Sequence, residues 1–454
     1  MARSPQLWLS FYGDDLTGST DALEQLSLAG VATRLFLEPP TAEELRAFPG
    51  LQACGVAGLT RAMGPAELTK TLKAALPRLR GLGAPQVHYK VCSTFDSSPA
   101  IGSIGRVIEV AAELFPAPFV PLLAAAPGLG RYTLFGNHFA RYGIGSQGEI
   151  HRLDRHPAIS RHPATPMREA DLRQHLARQT NRRVALFDIL QLSLPAGPCR
   201  ASFKKMLAAQ PEVVLFDALT AEQLTRIGGL IDSFGSAKNP LFSVGSSGVE
   251  AALCGYWRAT GRLAARRPAL PKARAVKQVL VGSGSCSPVT SGQIAWALKN
   301  GFAEVALDAA ALSSPQTAGQ EQQRAMRRAA KFLQAGRSVV VHTTRRGSDK
   351  AIQVRLKDRT AEVLGAALGN ILLGALRLNP PGRLCLAGGD TASFAARALG
   401  ITALAMVAPL TPGAPVCRAT APGVPVDGLE IVLKGGQVGA ENFFGLVQSG
   451  GKPL

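Results

Sequence analysis

Two adjacent carboxylates, Asp14 and Asp15, stand in the stretch Phe11-Tyr12-Gly13-Asp14-Asp15-Leu16-Thr17-Gly18-Ser19-Thr20-Asp21. The apolar run Leu7 to Phe11 leads into it, and Ala22, Leu23, Leu26 and Leu28 leave it at helical spacing. A first strand therefore hands over to a first helix where two adjacent acids, two glycines and the hydroxyls of Thr17, Ser19 and Thr20 collect. Open α/β sheets bind ligands at the carboxyl ends of their strands. Glycine admits a close backbone, and helix-start amides favour anions. The acids oppose a phosphate here and suit sugar hydroxyls or a metal. Asp and Thr are also good helix caps, which accounts for one acid. A pair of acids followed by Thr-Gly exceeds what a cap requires.

Three glycine loops lie in the second half. Gly282-Ser283-Gly284-Ser285-Cys286-Ser287-Pro288-Val289-Thr290 precedes a helix over Ile294 to Leu298. Gly388-Gly389-Asp390-Thr391 joins the strand 384–387 to the helix 392–399, and Lys434-Gly435-Gly436-Gln437-Val438-Gly439 follows the strand 429–433. Small residues leave amides open and serines add donors, which suits an anion at a helix start. None of the three is the P-loop pattern GxxxxGK[ST]. Each alone reads as a tight turn; as a set at strand ends they are expected to converge on one polyphosphate.

Strand-like runs alternate with helical patterns along the whole chain: 32–37, 53–59, 86–92, 119–125, 132–135, 184–190, 213–216 and 241–244, with a helix from Pro65 to Leu76. Such alternation predicts βαβ units and mainly parallel sheets flanked by helices. Residues 136–166 read as irregular and carry a doubled phrase, Arg155-His156-Pro157-Ala158 and Arg161-His162-Pro163-Ala164. On a loop these Arg-His pairs suit an anionic group, or equally a solvated connector. A helix is expected to restart at Thr165-Pro166. The segment Arg262 to Ala275 has two prolines and five basic residues and reads as a linker. Two domains follow, 1–262 and 276–454, joined by 263–275; no internal repeat is convincing.

At 454 residues the chain is too long for one ordinary core. No apolar run is read as approaching a membrane span, and no leader pattern is found at the start, so a cytoplasmic protein is expected. Seven scattered cysteines, with no CxxC pair, indicate neither a disulfide framework nor a zinc site; Cys286 alone lies near a candidate site. The net charge of +19 raises nucleic acid as a partner. The basic residues are spread out, however, and aromatics are only 6%, without the interleaving a stacking platform needs. Anionic small molecules are the better expectation. The pattern GxGxxG and zinc-ligand spacing are both read as missing from the chain, which counts against the rival reading, a sugar-acid dehydrogenase or aldolase-like enzyme.

The ordered motifs resemble the four-carbon acid sugar kinase family over nearly the whole chain. The opening Tyr-Gly-Asp-Asp-Leu-Thr-Gly-Ser-Thr-Asp is similar to its signature, and Gly130-Arg131-Tyr132-Thr133 to an internal element. Later matches are Gly282, Ser283, Ser285, Thr290 and Gln293; Gly388 to Thr391; the turn Pro412-Gly413-Ala414-Pro415; and Lys434, Gly436 and Gly439. The resemblance implies an N-terminal domain for the sugar acid, a C-terminal domain for ATP with Mg²⁺, and reaction in the cleft between them. It implies that Asp14, Asp15 and Thr17 hold substrate hydroxyls, and that Lys90 and Arg131 face the carboxylate or the developing phosphate charge. Asp15 is the first choice for the base, with Asp14 and Asp96 as alternatives. Ser283, Ser285, Gly388, Gly389, Asp390, Thr391, Gly413, Gly436 and Gly439 would hold the nucleotide. A homodimer is the expected assembly, and no nucleic acid or membrane partner is expected. The chain departs from the family between Lys90 and Arg106, where Asp96, Ser97 and Arg106 are expected to do the same work in binding the substrate at a different spacing, and in the Arg-His-Pro doublet. Both departures lie in the half that reads the sugar. The family includes kinases for the branched acid 3-oxo-isoapionate, which an altered pocket would fit.

Overall fold

Runs of four or five mostly apolar residues, buried on both faces, make the strands of parallel sheets, and helices cover them. The structure, a computed structural model, describes residues 6–142, 148–162, 164–285, 287–343 and 359–451. The chain divides into two compact units, Met1–Pro268 and Ala269–Leu454.

The first unit contains β1 (Leu9–Gly13), β2 (Thr33–Phe36), β3 (Ala53–Ala57), β4 (Gln86–Lys90), β5 (Val120–Leu123), β6 (Arg131–Leu134), β7 (Asn137–Arg141), β8 (Ile150–Arg152), β9 (Val184–Phe187), β10 (Val213–Phe216) and β11 (Leu241–Gly245). Its main sheet runs β2-β3-β1-β4-β11-β5-β10-β9, parallel throughout. From β1 the chain goes to β2 and β3 on one side, then crosses to β4 on the other. The order therefore reverses between β1 and β4, the place where such sheets open a binding crevice. The Asp14 amide spans that point, donating to the Lys90 carbonyl at 2.9 Å. On one face Leu68, Leu72, Leu76 and Leu79 of the helix Pro65–Gly81 join Val107, Ile108 and Ala111 of the helix Ile104–Leu114 in the core.

The described residues between 136 and 166 hold regular structure that their prolines do not suggest. β6, β7 and β8 form a small antiparallel sheet. The helix expected from Thr165 starts instead at Leu172 and ends at Ala177, capped by the Asp171 carboxylate. The preceding residues are committed to β7: His138 N donates to Ala170 O at 2.8 Å, and Asn137 bridges Asp171. The spacing GxGxxG does occur once, at Gly143-Ile144-Gly145-Ser146-Gln147-Gly148. Residues 143–147 lie outside the described residues, and the flanking elements are β7 and β8, not the strand and helix of a dinucleotide-binding unit.

The second unit contains β12 (Val279–Ser283), β13 (Ala303–Ala306), β14 (Val339–His342), β15 (Arg383–Ala387), β16 (Ala403–Thr411), β17 (Ala414–Thr420) and β18 (Glu430–Lys434), in the order β13-β14-β12-β15-β18-β17-β16. β13, β14, β12, β15 and β18 are parallel; β17 and β16 run antiparallel as a hairpin turning at Gly413, whose φ is 79°. The order reverses between β12 and β15. One helix corrects the reading of apolar runs: Thr360–Leu378 is long and apolar enough to cross a membrane. It is a core helix. Leu368, Ile371, Leu372 and Leu376 are buried, and the Leu368 and Leu372 methyls pack towards β12 at Gly282.

Candidate active site

At the reversal point of the first sheet the two acids are held by an arginine. Asp15 caps the helix Leu16–Ala29: its backbone is extended, and its Oδ1 accepts from Gly18 N at 2.7 Å. Thr17 Oγ1 donates to Asp15 Oδ2 at 2.7 Å. Arg61, in a single 3-10 turn after β3, donates Nε and Nη2 to Asp14 at 3.1 and 2.7 Å. It donates Nη1 and Nη2 to Asp15, both at 2.9 Å. A Cβ on Gly18 would lie 2.5 Å from Asp15 Oδ1 and 3.3 Å from Arg61 Nη2, so glycine is required for this fork to close. Burial raises the Asp14 carboxyl above its usual pKa; Arg61 opposes and Asp15 adds to the rise. Burial also opposes the Arg61 charge, but Asp14 and Asp15 together hold its pKa well above the ordinary value.

Beside them Lys90, 1% exposed at the end of β4, donates to Val91 O at 3.0 Å and pairs with Asp21 Oδ2 at 3.3 Å. Burial disfavours its charge; Asp21 and Asp14 outweigh this and raise its pKa. Arg131, 5% exposed on β6, gives Nη1 to the carbonyls of Leu129, Gly130 and Arg141 at 3.1, 3.3 and 3.0 Å. Its Nε is buried and has no partner among the described residues. Burial lowers the pKa of its guanidinium; Cys92, Asp96, Asp21 and Tyr132 oppose this, so Lys90's partner and the half-buried Asp96 act on Arg131 through their charge. Asp96 is fixed by Thr94 Oγ1 at 2.8 Å, on a turn where Phe95 takes φ 57°.

In the second unit the three glycine loops converge. Gly388 N donates to Lys434 O at 3.0 Å, and Gly284 N to Ala387 O at 3.3 Å. Thr290 Oγ1 donates to Gly436 O at 3.0 Å, and Gln293 Nε2 lies 3.0 Å from each of the carbonyls of Val438, Gly439 and Ala440. The helix Asp390–Ala398 starts at Gly389, which has open space where a Cβ would stand. Under the loops lies Lys434, fully buried, its Nζ donating to Thr290 Oγ1 at 2.9 Å and lying 5.8 Å from the centre of the Phe443 ring. Burial pushes the Lys434 ammonium down to about 8; among the described residues no carboxylate pairs with it. A Cβ on Gly284 would meet Thr391 Cγ2 at 2.2 Å. Gly284→Ala is therefore expected to part the first two loops and weaken nucleotide binding about tenfold, a change read by calorimetric titration with ATP.

Family models match both units: a sugar-binding N-terminal domain over residues 9–253 and a nucleotide-binding C-terminal domain over 280–444. The chain is 42% identical to a 3-oxo-isoapionate kinase of Paraburkholderia graminis, covering 98% of this chain and 94% of that one. It is 29% identical to a 3-oxo-tetronate kinase of Pseudomonas savastanoi pv. phaseolicola, over 96% and 95% of the two chains. The chain belongs to the four-carbon acid sugar kinase family. Its fold is also that of a crystal structure from Salmonella typhimurium LT2 at 24% identity, with a TM-score of 0.75 and coverage of 97% and 98%. As a member of this kinase family the chain is an enzyme with a nucleotide-binding domain.

Among the residues proposed for the sugar kinase chemistry, the structure gathers Asp14, Asp15, Thr17 and Lys90, with Arg131 and Asp96 alongside. It does not bring Arg106 to them. That side chain lies along its own helix, donating to Thr69 Oγ1 and Glu109 Oε2 at 2.9 Å each. Ser97 is buried and committed to structure, bonded to Phe95 O, His175 Nε2 and Gln179 Nε2. In the second unit Ser283, Ser285, Gly388, Gly389, Asp390, Thr391, Gly436 and Gly439 belong to the converging loops, while Gly413 lies in the hairpin turn two strands across, at the same end of the sheet. Cys286 and Pro163 lie outside the described residues. Arg61 was missed by the sequence reading; its signal is an arginine placed just past the end of β3, the neighbour of β1.

Proposed function

We propose that the enzyme transfers the γ-phosphoryl group of ATP to a hydroxyl of a four-carbon-backbone sugar acid, with 3-oxo-isoapionate as its substrate. The observation that carries this reading is the pair of strand-end clusters: acids locked on an arginine in one unit, glycine loops over a buried lysine in the other. The first suits hydroxyls, the second a polyphosphate. The greater identity to the 3-oxo-isoapionate kinase than to the 3-oxo-tetronate kinase supports the branched acid. We place the sugar-acid domain at 1–262 and the nucleotide domain at 276–454, joined by 263–275; the family-model spans fall inside these limits. With ATP as donor, the reaction is assigned to the cytoplasm.

Asp14 is the better base on hydrogen-bond inventory. Asp15 accepts from Gly18 N, Thr17 and twice from Arg61, which fills the roughly four acceptor positions of a carboxylate. Asp14 accepts twice from Arg61 and has a raised proton affinity, so it keeps room for a substrate O–H. The loop donors and Lys434 fit the nucleotide phosphates. Mg²⁺ would accompany them and neutralise their charge, held mainly by phosphate oxygens and water; no cluster of three His, Cys, Asp or Glu that could hold a metal occurs among the described residues.

The test is coupled ADP release with ATP and Mg²⁺ against 3-oxo-isoapionate, 3-oxo-tetronates, threonate and erythronate. Fastest turnover with 3-oxo-isoapionate is expected. A faster 3-oxo-tetronate would move the substrate and keep the class. No acid-dependent ADP from any of them would sink the reading.

A further inference from the structure

The two Arg-His pairs of the doubled phrase have different surroundings. His162 is half-buried, and its Nδ1 is engaged by Thr165 N and Oγ1 at 3.1 and 3.0 Å, a local turn. His156 is 4% exposed and lies next to Arg131. Its Nδ1 accepts from Ala158 N and Ile159 N, both at 3.2 Å. That pattern puts the ring proton on Nε2. Burial, with Arg131 and His151 adding to it, pushes the imidazole down to about 4, so the ring is neutral at working pH. Nε2–H is thus a donor, and among the described residues it is buried with no hydrogen bond of good geometry. It faces the Arg141 carbonyl, which already accepts from Arg131 Nη1. Tyr142 stacks on the ring at 5.6 Å and His151 meets it edge-on at 5.6 Å, so its orientation is set.

Arg131 presents the complementary half. Its Nη1 is consumed by three carbonyls. Nε, on the edge with which arginine grips a carboxylate side-on, is buried with no partner among the described residues, and no ion pair among them holds the guanidinium. Two neighbouring side chains, each more than nine-tenths buried, therefore hold unmatched donors. Leaving such groups unpaired is unfavourable, and a ligand oxygen relieves it.

We propose that His156 and Arg131 together form the carboxylate-reading end of the sugar-acid pocket, with His156 Nε2–H as a specificity-determining donor. This rests on the sugar-acid reading above. It gives the ligand a direction: carboxylate towards β6 and His156, hydroxyls towards Asp14 and Asp15.

The test uses the full chain and two stable probes, threonate and threitol, which differ in the carboxylate. His156→Asn keeps an acceptor where Nδ1 holds the turn and removes the Nε2 donor. His156→Gln does the reverse. Calorimetric titration should show wild type preferring threonate. His156→Asn should weaken threonate about tenfold and change threitol by less than about twofold. His156→Gln should recover most of the threonate affinity, and ATP-induced thermal stabilisation should be unchanged in both. Wild type binding threonate no tighter than threitol, His156→Asn weakening both probes equally, or His156→Asn leaving threonate unaffected would each overturn the proposal. Binding is read without turnover, so selectivity for threonate in a chain that never releases ADP would sink the kinase reading and leave the subsite standing.

Discussion

Asp14→Asn is expected to lower kcat about a thousandfold while leaving KM for ATP unchanged, as measured by coupled ADP release. The substitution preserves shape and the capacity to accept from Arg61 at one oxygen, and it removes the site for the substrate proton. Asp15→Asn should behave differently. Asp15 caps the first helix and carries two of the four Arg61 hydrogen bonds. Its loss should lower stability by about 1 kcal/mol from the cap and loosen Arg61, raising KM for the acid as well as lowering kcat. The pH profile carries the same assignment. A base with a raised pKa must be unprotonated to act, so kcat should fall with acid through a midpoint above the ordinary carboxylate range, and that limb should vanish in Asp14→Asn. A variant order reversed from this, with Asp14→Asn active and Asp15→Asn dead on kcat alone, would reassign the base.

Lys434→Met should abolish ATP-induced stabilisation and weaken ATP about a hundredfold, while raising the melting temperature of the ligand-free protein. The opposite signs come from one fact: the ammonium is buried with a threonine hydroxyl and an aromatic ring for company, and no carboxylate among the described residues. An apolar side chain of similar length removes that desolvation, and it also removes the charge a polyphosphate would meet. Linkage gives a second check. The folded pKa of about 8 lies below the unfolded lysine value. Between the two the unfolded state binds more protons, so this group's contribution to stability of the ligand-free protein rises as pH rises from about 8 towards the unfolded value. ATP affinity should move the other way, falling above pH 8 as the ammonium deprotonates, and Lys434→Met should flatten both trends. Thermal melts with and without ATP at pH 7 and pH 9.5 measure them together. A variant that melts lower yet still responds to ATP would mean that Lys434 only packs.

The parts of this site that were legible in the sequence are those in which chemistry and backbone change coincide. Asp14 and Asp15 stand where an apolar run ends and a helical pattern starts, so both position and role follow from local signals. The three glycine loops are of the same kind, and their convergence follows from parallel strands ending at one edge. Arg61 lies 47 positions from Asp14 in a single 3-10 turn, and no local pattern marks it; only the β3-β1 pairing makes it a partner. Arg106 is the reverse case. It sits near a plausible strand end, but capping of its helix by Ser103 turns it onto Thr69. The helix expected at Thr165 failed because a good cap signal was outcompeted by pairing with β7, a tertiary effect. Lys434 was visible as a motif residue, whereas its burial with no acidic partner among the described residues depends on three loops closing over it.

Phosphoryl transfer from ATP to an alcohol of the sugar acid is read out by ³¹P NMR of a reaction holding enzyme, ATP, Mg²⁺ and 3-oxo-isoapionate. A new phosphomonoester resonance is expected, growing in step with ADP, coupled to carbon-bound protons of the product and absent with Asp14→Asn. ADP accompanied only by inorganic phosphate, or no loss of ATP with any acid of the panel, would contradict it.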